Sequence, residues 1–67
     1  MITQARKDEL IAAGYSIEDM GAVWGADFAE QYRWLNARHD GDGFGVIQYS
    51  LDDAWADADQ FEARYGF

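Results

Sequence analysis

Apolar positions recur along the chain at helical spacing in four stretches and at strand density in one, and glycine marks most of the breaks between them. From roughly Thr3 to Ala13 the pattern predicts a helix, with Thr3 as N-cap, Leu10 and Ile11 on an inner face, and Gly14 where a C′ glycine ends it. Ser16 then stands as an N-cap before Glu18 and Asp19. Ile17, Met20, Gly21 and Trp24 follow at i, i+3, i+4 and i+7, predicting a short helix that stops near Gly25. A third helix is predicted from Asp27 to about Arg38, with Phe28, Tyr32 and Leu35 as one stripe and Ala29, Arg33 and Ala37 beside it. The segment Asp40-Gly41-Asp42-Gly43 is a turn by composition. Phe44 to Tyr49, with Val46, Ile47 and Tyr49, reads as a short strand. It needs a partner: residues 40–44 folded back, the N-terminal residues, or another copy of the chain. Ser50 opens the last helix, whose stripe of Leu51, Ala54, Trp55, Ala58, Phe61 and Tyr65 is expected to face the core.

These elements predict one mainly α domain over residues 1–67, a small bundle of three to four helices with a short strand or hairpin near 44–49. A chain of 67 residues buries only about 60% of the surface its unfolded form exposes, so its core must be rich in large side chains. Three Trp, four Tyr and four Phe meet that need and argue against disorder. The absence of Cys excludes disulfides, thiolate metal sites and a thiol nucleophile. No signal-peptide pattern and no membrane-spanning apolar run is visible, and a soluble, cytoplasmic protein is the expectation.

Charge narrows the function more than any motif does. Thirteen acidic side chains face five basic ones, for a net charge of −8. Such a field repels nucleic acid and membrane surfaces and attracts basic protein surfaces. Asp52, Asp53, Asp57, Asp59 and Glu62 lie on the last helix, outside or flanking its apolar stripe, offset there only by Arg64. Over a helix of about fifteen residues this is one charge per ~4.5 Å, against ~3.4 Å for the phosphates of one strand. These five acids are candidate phosphate surrogates, with Glu18, Asp19, Asp27 and Glu30 as a second acidic patch and Trp34 as an exposed anchor.

Catalytic chemistry finds few parts. His39 is the single histidine, in a glycine-rich turn, and nothing completes a nucleophile and base pair with it. Paired carboxylates need a cleft that separates their pKa values, for which so short a chain has little room. Asp40-Gly41-Asp42-Gly43-Phe44-Gly45 has carboxylates at positions 1 and 3 and a glycine at 6 of a calcium loop. Phe44 at position 5 and Leu51 at position 12 break the ligand set. The expectation is a non-enzymatic protein without cofactor or metal.

The run Gly14-Tyr15-Ser16-Ile17-Glu18-Asp19-Met20-Gly21-Ala22-Val23-Trp24-Gly25, followed by Tyr32-Arg33-Trp34-Leu35, resembles a helix-turn-helix of the resolvase and excisionase type. That resemblance implies a turn at Gly25 and a recognition helix over Asp27 to Leu35. The groove-facing positions are Asp27, Phe28 and Glu30, and phosphate repels such acids, so the DNA-binding chemistry it implies is lost or inverted. Small size, acidity and aromatic content are also similar to those of small phage inhibitors of the anti-CRISPR and antirestriction kind. The leading expectation is therefore an inhibitor that occupies the basic groove of a nuclease, restriction enzyme or CRISPR effector as a DNA mimic. Two alternatives stand beside it. One is a degenerate helix-turn-helix regulator touching DNA with Arg6, Arg33 and Arg38; the other is a structural or assembly subunit that self-associates through the Phe44–Tyr49 strand edge.

Overall fold

The computed structural model describes residues 2–37 and 45–65. In chain order it contains α1 (Gln4–Ala12), β1 (Tyr15–Asp19), α2 (Met20–Trp24), a 3₁₀ turn (Ala26–Phe28), β2 (Tyr32–Asn36) and α3 (Leu51–Tyr65). Among the described residues, three helices and a two-stranded antiparallel sheet make this an α+β domain, which corrects the mainly helical bundle expected from periodicity.

The first and last helices form where the pattern places them. The Thr3 hydroxyl accepts from the Arg6 amide at 3.1 Å, capping α1. At its other end Gly14, at φ 100°, turns the chain into β1 through a conformation that side chains with a Cβ disfavour. Ser50 caps α3 by accepting from the Asp53 amide at 3.0 Å.

Between these helices the expectation fails. Residues 15–19 and 32–36 are strands, in the register Tyr15↔Asn36, Ser16↔Leu35, Ile17↔Trp34, Glu18↔Arg33 and Asp19↔Tyr32. Tyr15, Trp34 and Asn36 are buried, which alternates in and out with a period of two. The helical spacing of Phe28, Tyr32 and Leu35 is not realised: Phe28 lies in the 3₁₀ turn, and Tyr32 and Leu35 fall on opposite faces of β2. The cap of α2 is Asp19 rather than Ser16: its carboxylate accepts from the amides of Gly21 at 3.0 Å and Ala22 at 3.4 Å. Ser16 belongs to the ladder, so the helix starts later and lasts only from Met20 to Trp24. The expected recognition helix is replaced by the 3₁₀ turn, a left-handed residue at Glu30 (φ 61°) and β2. From Met20 to Gln31 the chain leaves the hairpin and returns to it, with the Met20 amide donating to the Gln31 carbonyl at 2.9 Å. Gly21 lets this excursion close, since a Cβ there would lie 3.0 Å from Ala29 Cα.

Both long helices pack on one face of the hairpin. Leu10 of α1, Tyr15 of β1, Trp34 of β2 and Ala58 of α3 form the buried cluster, with Ile2, Ala13, Ile17, Trp55 and Phe61 packed against it. Ala54 and Ala58, one turn apart and fully buried, leave α3 a smooth stripe that can approach the sheet closely. Tyr15 meets the Trp34 ring edge-on at 5.4 Å, and Phe61 lies 4.7 Å from it at a tilt. The expected stripe of α3 is wider than the buried one, for Leu51 and Tyr65 are exposed. The opposite face of the hairpin carries Ser16, Glu18, Arg33 and Leu35.

The strand expected at 44–49 is present only as an edge contact. Gln48 and Tyr32 exchange backbone hydrogen bonds of 2.7 and 2.8 Å, and the Gly45 amide donates to the Trp34 carbonyl at 2.9 Å. Three residues of β2 (32–34) are thus spanned by four of the outer segment (45–48), a bulge-like offset that ends regular pairing. The partner found among the described residues is β2 of the same chain, which is none of the three expected for this segment. Phe44, His39, Arg38 and the acidic turn at 40–43 lie outside the described residues.

Gly45 has a steric role. A Cβ on it would run into the Trp34 indole, which is buried and cannot move aside cheaply. Gly45→Ala is expected to cost about 1–3 kcal/mol through overpacking. In a domain of this size each kcal/mol lowers the melting temperature by roughly 4–8 °C, so thermal unfolding followed by circular dichroism reads the effect directly.

Candidate functional site

On α3 the side chains turn by about 100° per residue, which separates its acids into two rows beside the buried stripe. Asp52, Asp59 and Glu62 make one row. Asp53 and Asp57 make the other. Ala56, Gln60 and Ala63 lie between the rows on the side away from the core.

The first row turns toward α1 and the sheet. Arg6 Nε donates to Asp59 Oδ1 at 2.6 Å, Lys7 Nζ stands 3.8 Å from Asp52, and the Tyr15 hydroxyl donates to Glu62 Oε2 at 2.9 Å. The hydrogen bond from Arg6 to Asp59 raises the guanidinium pKa above its ordinary value, against the opposing effect of desolvation. A raised cation pKa holds its stabilisation through neutral pH and loses it only as pH climbs through the alkaline range, so this pair adds no pH dependence near neutrality. In the second row, Asp57 Oδ2 accepts from Trp34 Nε1 at 2.9 Å. Asp53 is exposed, with no cation within ion-pair distance among the described residues.

The second patch is likewise divided. Glu18 is paired with Arg33 directly across the ladder at 2.9 Å, and Asp19 is the cap of α2. Asp27 and Glu30 are exposed, and no ion pair engages them among the described residues. Trp34 is not an exposed anchor. It is 2% accessible and sits in the core, because strand alternation turns it inward with Tyr32 and Asn36.

A hydrogen bond from a neutral donor leaves a carboxylate charged, whereas an ion pair largely cancels it. Asp57 therefore keeps its outward field while the Trp34 indole restricts its orientation; Glu62, oriented by the Tyr15 hydroxyl, also lies in the field of Arg6. Asp52, Asp59, Glu18 and Glu9 are the acids with a cation within ion-pair distance among the described residues.

Trp24 and Phe28, each expected on a helical stripe, are both exposed. Trp24 is 50%, Phe28 36% and Val23 57% accessible. The two rings meet edge to face at 5.3 Å, and the Arg33 guanidinium lies 5.3 Å from the centre of the Trp24 ring. The signal that could have revealed them is Gly25, which interrupts any helix between the two aromatics.

Among the described residues no group of three or more His, Cys, Asp or Glu is placed to hold a metal ion, and no helix is long and apolar enough to cross a membrane. No family model, curated protein or solved structure matches the chain.

The Asp57 contact can be isolated by mutation. Asp57→Ala leaves a buried indole N–H without its acceptor, an expected loss of about 1–3 kcal/mol. Asp57→Asn keeps an acceptor oxygen and should restore most of that loss. Urea unfolding of the two variants, with the Trp34 indole proton followed by NMR, measures the difference.

Proposed function

We propose that this protein is a non-enzymatic inhibitor that binds a basic surface of a nucleic-acid-handling protein, in the manner of a DNA mimic. Its target class is a nuclease, restriction enzyme or CRISPR effector whose groove normally takes a phosphate backbone. The observation that carries this reading is the charge left after internal pairing. Asp19, Asp27, Glu30, Asp53 and Asp57 meet no cation among the described residues, in a chain of net charge −8.

Geometry along α3 adds support. Asp53 and Asp57 are separated by ~6 Å along the helix axis at ~1.5 Å per residue, close to the ~6.8 Å between alternate phosphates of one strand. Asp57 is held by the Trp34 indole, so one of these charges is presented with little side-chain entropy left to lose on binding. Asp52 stands at the same end of the helix, its contact to Lys7 long enough to be given up to a stronger cation.

The test is capture of partners by the tagged protein from a lysate of its source organism, at low and high salt and after nuclease treatment. The expected result is a basic nucleic-acid-binding protein that survives nuclease, elutes with salt, and loses its own DNA or RNA when the acidic protein is added. Asp52→Lys with Asp53→Lys should reduce that capture at least tenfold, about 1.4 kcal/mol, while the helical circular dichroism stays unchanged. Recovery of nucleic acid alone, or of the protein's own copies alone, would defeat the proposal.

A further inference from the structure

We propose that Val23, Trp24 and Phe28, rimmed by Asp27 and Glu30, form a docking surface for an arginine-rich segment of a protein partner. This rests on the reading of the chain as a binder of basic protein surfaces, and it assigns the contact to a part of the molecule away from α3.

Three large apolar side chains, Val23, Trp24 and Phe28, are exposed on the excursion between β1 and β2. Trp24 and Phe28 touch edge to face, so they present one joined surface. Exposed aromatics of this kind, Trp above all, are the residues that carry binding energy in protein interfaces. The base of the excursion is fixed. The Asp19 cap, the bond from the Met20 amide to the Gln31 carbonyl and the close fit of Gly21 on Ala29 hold it to the hairpin, so the aromatics are presented with little ordering left to do.

Charge selects the occupant. Residues 18–33 carry Glu18, Asp19, Asp27 and Glu30 against Arg33 alone, four negative charges less one positive, or −3. Arg33 is taken up by Glu18, which leaves Asp27 and Glu30 to face an incoming cation. A second copy of the chain brings the same excess of negative charge, and nucleic acid brings phosphate; both are repelled. Arginine fits better than lysine because its flat guanidinium stacks on an aromatic face while its edge donates to carboxylates. The chain already displays that geometry. Arg33 lies 5.3 Å from the Trp24 ring centre while its Nε donates to Glu18 at 2.9 Å.

The experiment titrates the intact protein with fluorescein-labelled oligo-arginine and oligo-lysine peptides of equal length, following anisotropy and the amide spectrum by NMR. Oligo-arginine should move the amides of residues 22–30 and the Trp24 indole proton, and bind several-fold more tightly than oligo-lysine. Trp24→Ala with Phe28→Ala should weaken oligo-arginine binding roughly tenfold or more. Asp27→Asn with Glu30→Asn, a gentler pair because asparagine tolerates the left-handed backbone at position 30, should weaken it about threefold or more. Unchanged affinity in both double variants would overturn the inference. So would amide shifts confined to α3, or concentration-dependent shifts of residues 22–30 without peptide, which would mark a self-contact. Binding that survives both double variants but is lost in Asp52→Lys with Asp53→Lys would overturn this inference and leave the proposed function standing. No binding of either peptide by the unaltered protein at low salt would overturn both.

Discussion

The burial of one indole organises the molecule. Trp34 meets Tyr15 on one side and Phe61 on the other, is overlaid by Gly45, and donates its ring N–H to Asp57. It thereby joins β1, β2, α3 and the segment that begins at Gly45. A tryptophan contributes a large apolar surface to a small core, but only if its single polar atom finds an acceptor. Asp57 supplies that acceptor from the rim of α3, and the small Ala54 and Ala58 let the helix come near enough for it to do so. The same geometry dictates that the outer segment have a glycine where it crosses the ring.

This arrangement changes the meaning of the acidic helix. Read as a sequence, its five acids are one uniform feature. In the fold they divide by what they touch: Asp52 and Asp59 are answered by cations of α1, Asp57 and Glu62 accept from neutral donors, and Asp53 is left to solvent. Ion pairing within the chain lowers the outward field, whereas a neutral donor leaves that field in place and restrains its source. A protein that must both fold and remain strongly negative benefits from satisfying acids with hydroxyl and indole groups, since each such bond stabilises structure without consuming charge.

The legible parts of the fold were those governed by local chemistry. Thr3 and Ser50 cap helices because a hydroxyl at that position satisfies an amide three residues on, and both helices run where their apolar spacing places them. The hairpin was obscured because Tyr15, Ile17, Tyr32 and Trp34 belong to residue types that suit strands, yet neighbouring apolar residues also complete intervals of three and four. Ser16 and Asp19 are both capping residues, and only the pairing of Ser16 with Leu35 decides between them. For the candidate surface, net charge could be read directly. Which acids are free depends on contacts such as Arg6 with Asp59 and Tyr15 with Glu62, far apart in sequence, and no local pattern contains them. Trp34 was misplaced for the same reason: strand alternation turns it inward, while Trp24, at the end of a short helix, is left exposed.

The excursion between the strands leaves the ladder at Met20 and rejoins it opposite, at Gln31. Its two ends therefore occupy the same rung. A segment closed in this way is mechanically separable from its support: residues at the tip can be replaced, lengthened or shortened without altering the register of the strands, provided the base keeps its hydrogen bond and its glycine. The protein has in effect a replaceable head on a fixed handle, so that the first can be redesigned while the second is kept intact.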